Sequence, residues 1–180
     1  MKKLLSSCLI LLVTFYTWSC SDSGNEISEF TDNEMELALI PGSVEGNTTT
    51  GTLKIRERND GKDQIEITLN NVISGAEHPV HLHFGDLSSD GDVATFLTTL
   101  KEQNGIGKSV TILESLDNNT QISYNDLIRF DGSVKIHFES SGPLENEILG
   151  STNIGLNSDQ NQAYFDGTKS ITVCNSNFGN

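Results

Sequence analysis

Five short segments in which apolar and polar side chains alternate set the architecture open to this chain. Leu53 and Ile55 alternate with Lys54 and Arg56, and Ile65, Ile67 and Leu69 with Glu66 and Thr68. Val80, Leu82 and Phe84 flank His81 and His83, and Val110 is followed by Ile112. Val134, Ile136 and Phe138 then alternate with Lys135, His137 and Glu139. Successive side chains of a strand point to opposite faces, so each segment has one face for a core and one for a polar surrounding. Turn-forming Asn59-Asp60-Gly61, Ser74-Gly75, Asp90-Gly91 and Asp131-Gly132 separate them. Short half-buried strands at this spacing predict an all-β antiparallel sandwich or barrel. One short helix is expected near residues 123–130. There Ser123 and Asp126 have capping-box spacing, and Tyr124, Leu127 and Ile128 share a helical face before Asp131-Gly132.

The N-terminus reads as an export signal. Lys2 and Lys3 precede the apolar run Leu9-Ile10-Leu11-Leu12-Val13, which is too short to span a bilayer and is soon followed by polar Ser21-Asp22-Ser23-Gly24. Thr17-Trp18-Ser19-Cys20 resembles a bacterial lipobox, with small Ser19 before the cysteine. The expectation is a signal peptide over residues 1–19, removed before a lipidated Cys20, and an acidic tether over residues 20–33. A domain over 34–175 and a polar tail over 176–180 follow. Several acyl chains hold a protein to a membrane stably where one does not, so the membrane is the expected partner, through the lipid on Cys20. Ser21 after the cysteine points to the outer membrane.

Charge and cysteine content narrow the partners further. Without Lys2 and Lys3, 9 basic side chains face 25 acidic ones, a net charge of −16. Such a surface repels nucleic acid and anionic headgroups. With Cys20 in a thioether, Cys174 has no partner for an intramolecular disulfide, so the core must hold the domain.

The chemistry concentrates in the four histidines: His78, His81, His83 and His137. His81 and His83 lie two apart, opposite Val80, Leu82 and Phe84; by the same parity His137 lies opposite Val134, Ile136 and Phe138. If the two strands are neighbours, three imidazoles converge on the non-core, polar side of one sheet. Such a set suits copper or zinc, and His78 is a candidate fourth ligand beyond the break at Pro79. A His-x-His pair on a solvated strand is equally compatible with plain polar surface.

His81-Leu82-His83-Phe84-Gly85-Asp86 resembles the His-x-His strand of copper/zinc superoxide dismutases. Together with Asp131-Gly132-Ser133-Val134-Lys135-Ile136-His137 and Ile148-Leu149-Gly150-Ser151-Thr152-Asn153-Ile154-Gly155, the pattern is more similar to the chordin-type (CHRD) domains and their bacterial relatives. This resemblance, over residues 48–157, implies a Greek-key β-sandwich with His81, His83 and His137 in paired positions. It implies a binding module more than an enzyme. Four histidines cannot fill both sites of a copper/zinc dismutase, no arginine lies near the C-terminal motif, and the charge does not favour a superoxide anion. A copper-only dismutase, with all four histidines as ligands, is the alternative.

Other motifs carry less. Asp86, Asp90 and Asp92 are hard-oxygen candidates for calcium, but lack the spacing and closing glutamate of an EF-hand. No Gly-x-Ser-x-Gly elbow or phosphate-binding glycine loop is present, and Cys174 has no histidine near it in sequence.

Overall fold

The computed structural model describes residues 28–174; the expected signal peptide, Cys20, most of the expected tether and residues 175–180 lie outside the described residues. Strands β1 (Phe30–Pro41), β2 (Thr50–Arg58) and β3 (Asp63–Asn70) form an antiparallel meander. A second meander follows: β4 (Glu77–Phe84), β5 (Val93–Gln103) and β6 (Ile106–Leu113). After α1 (Tyr124–Leu127), a hairpin of β7 (Asp131–His137) and β8 (Ile148–Gly155) ends the sheet, and α2 (Asn161–Phe165) packs beyond it.

The order around the sheet is β1-β2-β3-β6-β5-β4-β7-β8, closed into a barrel where β8 meets β1. The chain leaves β3, returns with β6 beside it, and crosses again so that β7 lies beside β4. The antiparallel barrel is the architecture the alternation predicts, and its Greek-key connectivity is what the resemblance implies. Closure removes the open sheet edges that would otherwise recruit other strands.

Two seams are short. β5 and β6 pair only through Lys101–Lys108, Glu102–Gly107 and Gln103–Ile106, beside a two-residue turn in which Asn104 and Gly105 both take positive φ. β8 and β1 pair only through Ile40–Ser151 and Pro41–Gly150. The barrel is thus two four-stranded sheets, β1-β2-β3-β6 and β5-β4-β7-β8, joined at both margins. Where β5 and β6 part, side chains bridge them: the Ser109 hydroxyl donates to the Thr98 carbonyl at 2.5 Å, and the Thr98 amide donates to Thr111 Oγ1 at 2.8 Å.

The core follows strand parity. Leu53, Ile55, Ile65, Ile67, Leu69, Val80, Leu82, Val134 and Ile136 are all buried in one cluster. Burying each such side chain favours folding by about 1.5–3 kcal/mol. The helix forms where its cap predicts: Asp126 N–H donates to Ser123 Oγ, the Ser123 amide donates back to Asp126 Oδ2 at 3.0 Å, and Tyr124 and Leu127 face inward.

Three expectations are corrected. Val110 and Ile112 point outward, 47% and 45% exposed, because β6 turns Gly107, Ser109 and Leu113 inward. A side chain at Gly107 would collide with Leu100, whose Cδ2 lies 2.1 Å from the Cβ position. The interior there is filled from β5. Phe84 is also exposed and stacks on Phe130. Finally, residues 30–33, assigned to the tether, belong to β1: Phe30 pairs with Arg58, and the Arg56 guanidinium lies 3.8 Å above its ring.

Candidate metal centre

β4 and β7 are neighbours, with Val80 opposite Ile136, His81 opposite Lys135 and His83 opposite Ser133. That register puts Val80, Leu82, Val134 and Ile136 inside the barrel and His81, His83, Lys135 and His137 on its outer face. One potential ligand atom from each of His81, His83 and His137 lies within 4.8 Å of the others. The ring centroids of His81 and His137 are 4.7 Å apart, those of His81 and His83 5.8 Å, and those of His83 and His137 6.4 Å. Two nitrogens bound at tetrahedral angles to one ion at 2.0–2.1 Å lie about 3.3 Å apart. Reaching that spacing from within 4.8 Å requires the side chains to draw together on binding.

The rings lie on the non-core face that strand parity predicts, but that face is closed to water and is not plain solvated surface. His81 and His83 are 3% exposed and His137 is fully buried. The outer face of this sheet is covered: the turn after β4 supplies Gly91 beside His83, the loop after β7 supplies Glu145 beside His137, and Phe96 of β5 packs edge-on against His81 at 4.7 Å. The polar residues sharing that face, Ser133, Lys135, Ser151 and Asn153, are buried as well.

The covering loops also orient the rings. His83 Nδ1 lies 2.9 Å from the Gly91 carbonyl oxygen, and His137 Nδ1 lies 2.9 Å from that of Glu145. A carbonyl only accepts, so each Nδ1 carries the proton and donates it, which leaves a lone pair on Nε2. This is how proteins fix the tautomer of a metal-binding histidine. Gly91 also makes the turn possible, because a Cβ there would sit 1.7 Å from the Phe84 carbonyl oxygen.

The electrostatics keep the rings uncharged. Burial lowers His81 to about 3, with His137 and His83 adding to the effect. Burial likewise lowers His83 to about 4, opposed by its bond to Gly91 and reinforced by Lys135. His137 is lowered by burial and by Lys135, against its bond to Glu145.

His78 does not join the trio. It is buried, with Nδ1 2.6 Å from the Phe138 carbonyl oxygen. A bulge between His78 and Val80 lies between it and the register of His81 and His83. The acidic turn likewise does not gather as a cation site among the described residues. Asp86 instead accepts from Ser88 Oγ at 2.7 Å and from the Tyr164 hydroxyl at 3.0 Å.

Two neighbours escape the sequence reading. Lys135 is fully buried, and its ammonium donates to the carbonyls of Thr172 at 3.0 Å and Ser89 at 3.3 Å. Its shared parity with His137 is the signal that marks its place. Cys174, without a histidine near it in sequence, has its buried Sγ 3.7 Å from His83 Nε2. Burial pushes that thiol up and Lys135 opposes the push. No sequence pattern marks this approach, which the fold of the C-terminal segment alone creates.

No protein-family model matches the chain, and no curated protein matches it. Among solved structures, the chain is similar to the crystal structure of the clock protein EA4 at 16% identity and a TM-score of 0.44, covering 67% of this chain and 94% of that one. A likeness of that size bears on neither activity nor ligand.

Proposed function

We propose that this chain is an envelope lipoprotein whose CHRD-like barrel is a binding module, holding one copper or zinc ion through His81, His83 and His137. The observation that carries the reading is the meeting of three buried imidazoles with ligand atoms within 4.8 Å, on neighbouring strands. The bonds from His83 and His137 to backbone carbonyls, which leave Nε2 on each ring for an ion, add support. Imidazole nitrogen suits both copper and zinc. Burial beneath Phe96 and two loops favours a held ion over turnover at an open coordination position.

Metal analysis and calorimetric titration of the purified protein test the reading. It requires one ion per chain and at least a tenfold loss of affinity in His81→Ala. No ion at stoichiometry overturns it. Rapid superoxide turnover by the copper-loaded protein replaces the module with a dismutase-type oxidoreductase. The lipoprotein part requires fatty-acid labelling that disappears in Cys20→Ala.

A further inference from the structure

Resting on the three-histidine reading, we infer that Cys174 is the fourth ligand, so that the bound ion sits in a His3Cys set closed by the C-terminal segment. The distance carries the inference. His83 donates from Nδ1 to Gly91, so Nε2 is its ligand atom, and the Cys174 sulfur lies 3.7 Å from that same nitrogen. Zinc–nitrogen bonds of 2.0–2.1 Å and a zinc–sulfur bond of 2.3 Å at a tetrahedral angle place the two ligand atoms about 3.5 Å apart. Cys174 is a neighbour of the trio and not yet within its 4.8 Å circle, so its sulfur turns toward the ion on binding. A change of χ1 rotamer alone moves a cysteine sulfur by about 3 Å. The segment that carries it is tethered: the Thr172 amide donates to the Leu87 carbonyl at 2.8 Å, and Lys135 donates to the Thr172 carbonyl.

Charge balance points the same way. Three neutral imidazoles contribute no negative charge; the fully buried Lys135 ammonium, bonded to carbonyls, stands beside them, and Asp90 is the one carboxylate among the described residues whose field reaches both His83 and Cys174. A divalent ion there would place like charges together out of water, which is costly. A thiolate ligand offsets one of them. Binding forms the sulfur–metal bond and releases the thiol proton to solvent, one proton per ion. A sulfur ligand also moves the preference toward zinc or cuprous copper and away from hard cations.

Cobalt(II) is the probe, because its ligand-field bands report tetrahedral binding and a near-ultraviolet charge-transfer band reports a thiolate ligand. The purified protein is expected to show both at one cobalt per chain. Cys174→Ser should keep ligand-field absorption, lose the charge-transfer band and bind about tenfold or more weakly, a loss that even the partners of ligands produce. The double variant Cys8→Ser/Cys20→Ser, which removes the two other cysteines of the sequence, should keep the band, which assigns it to Cys174 even if the first variant folds poorly. Cobalt bound with no charge-transfer band, or a band unchanged in Cys174→Ser, overturns the fourth ligand and leaves the three-histidine site standing. No cobalt bound at all overturns both.

Discussion

Asp63 gives a test of the fold that is independent of any metal. It opens β3 on the parity of Ile65, Ile67 and Leu69, so its carboxyl turns into the end of the barrel, 1% exposed. Neither carboxyl oxygen has a hydrogen-bond partner among the described residues. Burial first, then the carboxylates of Glu57 and Asp126, push it up to about 6 from 3.8. Tyr124, at the same end, is pushed above its ordinary value by burial first, then by the carboxylates of Glu57, Asp63 and Glu34. Its titration falls above the range at issue. The folded state therefore holds the Asp63 proton more tightly than the unfolded chain does. The stability linked to that proton is fully present below about pH 4 and is lost as pH rises through about 6. At about 1.4 kcal/mol per pH unit, the ionised group costs the folded state on the order of 3 kcal/mol at pH 8. Asp63→Asn, which cannot ionise, should gain most of that at pH 8 and little at pH 4. For a domain of this size the gain at pH 8 corresponds to a rise in Tm of about 6–12 °C. Urea unfolding of both proteins at pH 4, 6 and 8 reads the difference directly. An equal change at every pH, or a variant less stable at pH 8, would refute a desolvated carboxyl at this position.

The other predictions concern the site and its frame. His78→Ala should leave metal affinity within about twofold by calorimetry, because the ring bonds to Phe138 outside the trio; a loss as large as that of His81→Ala would restore a four-histidine set. Gly91→Ala must push the Phe84 carbonyl away and displace the acceptor for His83, so competition titration should find metal binding about 10–100-fold weaker. Ile67→Ala empties space at the centre of the core and should cost about 2–5 kcal/mol in chemical denaturation. Ser123→Ala removes the α1 cap and should cost about 1 kcal/mol by the same measurement.

The strands of the interior are legible because a half-buried antiparallel strand writes its burial into alternate positions. Leu53 with Ile55, and Val134 with Ile136, follow that rule without exception. The rule misleads at β6, where the inward residues are small because Leu100 fills the space, and the outward ones are apolar. No strand is expected over β1 or β5. Met35, Leu37 and Leu39 do alternate, whereas the bulge between His78 and Val80 breaks the parity of Leu97 and Leu100 opposite. Parity also brings His81, His83 and His137 together, since it depends only on which strands are neighbours. The burial of the site escapes it. Whether the outer face of a sheet meets water is decided by where Gly91, Glu145 and Cys174 are carried by irregular segments, and periodicity does not encode those paths.

The short margins between the two sheets have a bearing on motion. All three imidazoles sit on β4 and β7, within one sheet, on the face turned away from the barrel interior. Loading should therefore slow amide exchange across β4, β7 and the segments that cover them, while β2 and β3 exchange as before. The margins, with two and three residue pairs, should then act as hinges along which one wall stiffens and the other keeps breathing.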